Sequence, residues 1–477
     1  MRSGLLSTGV FVLACHSGSP FEFQSLGQGA AAGCANDCNA DPRAVAEMSL
    51  GVRFACARFA AGAVKCWGQN DFGVLGDAAR ELVADPSEVG VLDFGAERRV
   101  IQLSAGWEHV CVVFDDHRAR CWGRNQYGQL GRGNTEDYGD NRGETLAELS
   151  DLPLESIVQI SAGVNSTCAL VSAEADTPGR VHCWGRDQGG ALGDTSSGDY
   201  GDDEPVDASR PVALPALAVA VATGGDLACA LLSTGAVHCW GDNWARTLGI
   251  GETECDVGDE MPCFSEQGRV PDIPVAGLGS RGIVELVVNH TSACVLDNSG
   301  RVLCWGRNSQ SRLGYPELLE GEYLGSPPGS VALGEDVAVV GLALGTRHAC
   351  ALDRDGTIRC WGEAGPALGY GMAAETGSAG IGGIQTPEEA YALRADRGVV
   401  DVGDFDAGDG TDPVDAVYAG GSTTCVRVSG AVRCFGENGF GELGYGDPAQ
   451  VGAIGDDAPP GEEYVQLGRA DVPLFSE

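Results

Sequence analysis

A cysteine, an aromatic residue and a glycine stand together seven times in this chain of 477 residues, at 66–68, 121–123, 183–185, 239–241, 304–306, 360–362 and 434–436. The aromatic is tryptophan in six copies and phenylalanine in the last. Successive copies lie 55, 62, 56, 65, 56 and 74 residues apart. A common unit of about fifty residues with variable insertions restricts the fold to a repeat architecture: a solenoid, a propeller or a helical array. The 73 glycines follow no three-residue period, which excludes collagen.

Local signals select among these. A second cysteine in an apolar run precedes each motif, followed by a turn, as in Cys294-Val-Leu-Asp-Asn-Ser-Gly-Arg-Val-Leu-Cys304. Two β-prone runs joined by a short loop ending in glycine predict a hairpin, with Gly300 or Gly356 left-handed. The seventh copy shortens its loop to Ser429-Gly430. Upstream lies another apolar run, such as 157–163, and downstream a Pro/Val/Leu element, as at 211–214, 271–275 and 330–333. Four strands per unit and no helical period predict an all-β fold, a seven-bladed β-propeller with four-stranded antiparallel blades. The first unit starts near Ala44 without a preceding Pro/Val/Leu element, and the last runs on to Leu467. The N- and C-terminal strands are therefore expected to share a blade and close the ring.

The pattern G-x-x-H-x-C-A-L…G-x-V-x-C-W-G-x-N-x-x-G-Q-L-G resembles the repeat of the regulator of chromosome condensation family, over residues 44 to about 475. The resemblance implies a seven-bladed propeller. The exported, cysteine-rich bacterial form is the version it is most similar to. The family's founding member is a chromatin-bound exchange factor for a small nuclear GTPase, and that role is not carried over to this acidic chain. Secreted bacterial β-lactamase inhibitors with the same propeller are the closer analogy. They imply recognition through variable loops at one face, here 132–156, 194–210, 250–269 and 370–416.

Nineteen cysteines are present. Fourteen pair within hairpins: Cys56 with Cys66, Cys111 with Cys121, Cys168 with Cys183, Cys229 with Cys239, Cys294 with Cys304, Cys350 with Cys360 and Cys425 with Cys434. Cys34 with Cys38 and Cys255 with Cys263 are close pairs, and Cys15 is left over. Counting outward from a closing pair of Asp297 and Arg301 places Cys294 opposite Cys304 at a non-hydrogen-bonded position, where Cα atoms approach to about 4.5 Å. In the seventh copy loop and cysteine separation both shorten by one, which restores the same position. The long loop between Cys168 and Cys183 escapes this check. All eighteen are read as disulfides, with reduced buried thiols in the seven hairpins as the alternative and zinc, for which Cys34 and Cys38 offer two ligands and no second pair, as a third reading.

Residues 1–15 carry Arg2, a short apolar run and Cys15, the layout of an export signal ending in a lipobox. Lipidation of Cys15 is expected, a plain export signal being the alternative, with 16–43 a flexible linker and 44–477 the propeller. The protein is thus expected outside the cell or at the outer membrane and cell surface, attached to membrane only through that anchor.

Acidic residues exceed basic ones by 68 to 30, a formal charge of −38, and Lys65 is the sole lysine. Such a chain repels phosphate backbones, so nucleic acid is not an expected partner. No catalytic elbow, zinc-protease, Walker or dinucleotide motif occurs. His109 and His348 share a repeat position that accepts Phe54 and Leu227, which reads as packing, while His182, His238, Lys65 and Arg120 share a tolerant polar slot. Acidic stretches at 136–141, 199–204, 401–412 and 455–457 do not match the spacing of a calcium loop. No catalytic, cofactor or metal residue is assigned. The expected function is a monomeric, non-enzymatic scaffold for an unknown protein partner. An exchange-factor-like regulator of a small GTPase and an envelope or polysaccharide-binding protein are the alternatives.

Overall fold

The computed structural model describes residues 41–447, 465 and 467, apart from 96–97, 175–176, 195–197, 252–269, 316, 319–320, 335–336, 364–365 and 369–412. Seven antiparallel sheets follow one another along the chain, with no α-helix among the described residues. Each is a blade. The inner strands are Val45–Leu50, Val100–Ala105, Ile157–Ala162, Ala218–Thr223, Ile283–Val288, Val339–Leu344 and Ala416–Gly420. Each is followed by the cysteine hairpin, whose second and third strands in the first blade are Phe54–Phe59 and Val64–Gln69.

Among the described residues only the first and fifth blades have a fourth strand, and it is two residues long: Leu82–Val83 and Tyr323–Leu324. Single bridges, Gly123 with Tyr138 and Gly185 with Tyr200, mark the same edge in the second and third. The Pro/Val/Leu element expected as the fourth strand is a non-strand strap that donates one bond to its own blade. Val212 N–H bonds Val181 O at 2.7 Å, and Val275 N–H bonds Val237 O at 2.8 Å. Its prolines lack the donors a ladder requires.

The first and seventh blades meet, and among the described residues no C-terminal strand joins the first blade. Val465 N–H bonds Val432 O at 3.0 Å, so the last strap stays in the seventh blade, and the first blade supplies its own edge strand. Their meeting uses the joints found between other neighbours. Each motif tryptophan is buried and donates its indole N–H to the carbonyl before the Leu-Gly of the preceding blade. Trp122 bonds Val74 O, Trp184 Gln129 O, Trp240 Ala191 O, Trp305 Thr247 O and Trp361 Arg312 O, at 2.8–3.0 Å. Trp67 bonds Glu442 O at 3.0 Å across the ends of the chain. Hairpin turns form a second joint: Val100 N–H bonds Gly62 O, Val339 N–H bonds Gly300 O, and Val45 N–H bonds Gly430 O.

A third joint surrounds the channel. Side chains of one inner strand pair with the backbone of the next. Gln102 holds both N–H and C=O of Ile160, and Gln159 does the same to Val221. Ser49, Ser104 and Ser161 accept from Ala105, Ala162 and Thr223. These polar groups, all buried except the half-buried Gln102, satisfy backbone that a radial array of separate sheets leaves unpaired.

Candidate functional site: the channel mouth

The turns after the inner strands, beginning at Gly51, Gly106, Gly163, Gly224, Asn289, Gly345 and Gly420, converge on one mouth of the channel. Hydrogen bonds tie them side to side: Trp107 N–H to Gly163 O, Val164 N–H to Gly224 O, and Thr346 N–H to Gly421 O. The Trp107 indole leans across the mouth onto His290 of the fifth blade, with ring centroids 5.7 Å apart. The space left between the seven turns is about 50 Å³.

Around this mouth the loops leaving the third strands carry aromatic residues, several covered by an arginine of the next blade. Arg124 lies over Phe72, Arg186 over Tyr127, Arg307 over Trp244 and, across the ends of the chain, Arg53 over Phe440. Trp107 and Trp244 are 38% and 41% exposed, whereas the six motif tryptophans are buried. Aromatic and arginine side chains together are the composition of interface centres. Composition hides these two tryptophans among eight; the usable signal was that they fall outside the repeated motif.

The charge of the mouth is uneven. Arg53 pairs with Asp71, and Arg124 with Glu108. In the fifth blade Arg312 is buried and donates to neutral acceptors, Thr291 Oγ1, Thr346 O and Ser309 O, at 2.8–3.0 Å. Burial, with Arg307 and Arg347 nearby, pulls its guanidinium down to about 10. Burial also raises the Asp226 and Asp242 carboxyls.

His109 and His348 are fully buried. Each Nε2 meets a threonine hydroxyl of the next blade, Thr167 at 2.9 Å and Thr424 at 2.8 Å. Those hydroxyls donate onward to Gln129 O and Ala367 O, so the imidazoles donate through Nε2. Desolvation lowers them to about 3 and about 4. The packing position is thus also a polar bridge between blades. The slot before the second cysteine is less tolerant than its composition suggests. Lys65 reaches Pro86 O and His238 reaches Pro271 O in the connection after its own blade, whereas Arg120 reaches Phe94 O in the connection before its blade and Leu146 O in the one after.

The cysteines of all seven hairpins stand opposite each other with Cα atoms 4.0–4.1 Å apart and the sulfurs bonded. Cys56 joins Cys66, Cys111 joins Cys121, Cys229 joins Cys239 and Cys294 joins Cys304. Cys350 joins Cys360, Cys425 joins Cys434, and the long-looped Cys168 joins Cys183 in the same register. Of the eighteen cysteines expected in disulfides, these fourteen are therefore paired as the hairpin register requires. The other four, Cys34, Cys38, Cys255 and Cys263, lie outside the described residues, as does Cys15. So do the acidic stretches at 401–412 and 455–457 and most of the loops at 250–269 and 370–416. Among the described residues Asp202, Asp203 and Glu204 bring their ligand atoms within 4.8 Å of one another, beside Gly128 of the loop that leaves the second blade. The loop 132–156 supplies the edge bridge at Tyr138 and the bond from Leu152 N–H to Ala119 O, so it braces its blade.

Two models described as the Regulator of chromosome condensation (RCC1) repeat match the chain. One covers 61–113 and 120–170, the other 100–129, 218–243, 283–312 and 339–364. The chain is 26% identical over 337 residues to the ultraviolet-B receptor UVR8 of Arabidopsis thaliana, covering 69% of this chain and 67% of the receptor. It is 24% identical over 292 residues to the guanine nucleotide exchange factor SRM1 of Saccharomyces cerevisiae, covering 55% of this chain and 56% of that protein. The chain thus spans little more than half of the latter. Among solved structures, that of Prp20p from Saccharomyces cerevisiae superposes with a TM-score of 0.56 at 20% identity, covering 79% of this chain and 80% of that one.

Proposed function

From a chain built of regulator of chromosome condensation repeats, we propose a non-enzymatic scaffold that binds a protein partner through the channel-mouth face. The observation that carries this is the exposure, on one face, of Trp107 packed on His290 and of Trp244 beneath the Arg307 guanidinium. The relatives point the same way: one is named a receptor and another an exchange factor. The paired hairpin cysteines and the layout of residues 1–15 support an exported location, with attachment at Cys15.

Cross-linking of the full-length protein in its own cells, followed by deuterium exchange on the purified complex, tests the proposal. The captured partner is expected to protect the turns at 105–108 and 242–247, and the Trp107→Ala/Trp244→Ala variant to lose it. Protection confined to the hairpin turns at the opposite face would end this reading. Intact mass under non-reducing conditions tests location, since free thiols at the hairpin cysteines would favour a cytosolic regulator of the exchange-factor kind.

A further inference from the structure

Resting on that reading, we propose that the sector of the mouth formed by the fifth and sixth blades is a carboxylate-binding subsite, taking a short acidic segment of the protein partner beside Trp244. Its groups are Arg307, Arg312 and Arg347. Arg312 bridges the two blades from below, bonded to Thr291 of one and to the Thr346 carbonyl of the other. The Arg307 backbone N–H is held by Thr291 O at 2.9 Å, and its guanidinium lies over the Trp244 ring, 5.3 Å from the centroid. The Arg307 Nε is buried without a hydrogen-bond partner among the described residues. Arg347 is half exposed and meets one carboxylate, Glu363, at 3.0 Å. Tyr323 packs edge-on against Trp244 and extends the platform.

Charge makes this sector unusual. Acidic side chains outnumber basic ones more than two to one in the chain. Elsewhere on the mouth Arg53 and Arg124 have carboxylate partners, whereas Arg307 and Arg312 have none among the described residues. Arg307 and Arg347, with the buried Arg312 beneath them, outnumber the carboxylates beside the platform, Glu363 and Asp242, by three to two, a surplus that a carboxylate complements by charge-assisted and, at a guanidinium, bidentate hydrogen bonds. An aromatic platform beside them suits an apolar neighbour in the same segment. The ligand has to be short: an extended polyanion such as nucleic acid meets the field of a chain with charge −38 beyond a Debye length of about 8–10 Å, a few acidic side chains much less.

The test uses the full-length protein and a rhodamine-labelled tetraglutamate peptide, read by fluorescence anisotropy. Tetraglutamine and a tetrathymidine oligonucleotide serve as comparisons. Tetraglutamate is expected to bind, to weaken as salt rises from about 50 to about 300 mM, and to weaken about tenfold in Arg307→Gln/Arg347→Gln. Both positions are accessible enough to change without disturbing the blade joint at Arg312, and thermal unfolding monitors this. Equal binding of tetraglutamine, tighter binding of tetrathymidine, an unaffected variant, or no binding of tetraglutamate at millimolar concentration would each overturn the subsite. Partner capture separates the two readings. Loss in the tryptophan variant with retention in the arginine variant sinks the subsite alone; retention in the tryptophan variant sinks the recognition face itself.

Discussion

At the scale of the residue, this protein repeatedly uses one side chain to satisfy backbone in the neighbouring blade. The motif tryptophans do so with the indole N–H, and the exception is instructive. Phe435 has no donor, and the carbonyl at that joint, Ala367 O, accepts from Thr424 Oγ1 at 2.8 Å instead. At one joint both donors are present, because Trp184 and Thr167 share Gln129 O. Trp184→Phe should therefore cost clearly less than Trp240→Phe, where Ala191 O loses its indole donor and about 1–3 kcal/mol is expected. Urea unfolding of the two variants checks this, and equal losses would refute the shared-carbonyl account.

The buried histidines set a pH dependence. Their folded pKa values lie below the ordinary 6.5, so the unfolded chain binds more protons between about 4 and 6.5. Stability is then full above pH 6.5 and falls as the pH drops through this window, at up to about 1.4 kcal/mol per unit for each histidine. Asp187, raised to about 6 by burial, opposes this over part of the range. Replacing His109 by Phe and His348 by Leu, residues that other blades hold at this position, should flatten the decline in urea midpoint between pH 7 and pH 5. An unchanged slope would show that other groups dominate.

At the scale of the element, the hairpin is the repeated piece and its turn does two jobs. Gly430 has φ near +78° and sits where a Cβ would come within 2.4 Å of the Ala44 side chain of the first blade. A side chain there is strained and pushes the closing joint apart. Gly430→Val should destabilise more than Gly235→Val, whose φ is also positive but whose surroundings are open. Thermal melts of both variants decide it. The cystine between Cys294 and Cys304 spans ten residues, so Cys294→Ala/Cys304→Ala is expected to lower stability by about 2–3 kcal/mol, read from denaturant midpoints.

At the scale of the whole molecule, closure is the property the blades share. Trp67 with Glu442, Val45 with Gly430, and Ala84 packed on Gly441 repeat at the ends of the chain the contacts made between other neighbours. Weakening this seam should cost more cooperativity than weakening an internal one, because an open ring exposes two sheet faces. Trp67→Phe is expected to broaden the unfolding transition relative to Trp122→Phe, as followed by hydrogen exchange in the first and seventh blades. Identical exchange patterns would show that the ring gains nothing special from its seam.

The number of blades, the hairpins and the cysteine register were legible in the chain because they are local: period, turn length and the two-residue alternation of a ladder determine them. The fourth strand was misplaced because a proline-rich valine segment and a true edge strand look alike until hydrogen bonds are counted. The blade-to-blade joints were invisible for a different reason. Gln102, Ser104, Thr167 and the motif indoles act on partners some forty to sixty residues away, and only the ring brings those partners near. The same holds for the mouth. Trp107 and His290 meet across the channel, and Arg307, Arg312 and Arg347 gather because two adjacent blades turn inward together. Sequence alone determined what each blade is, since a hairpin is written in consecutive residues; the tertiary ring decided what the blades present to a partner, since that surface is assembled from all seven.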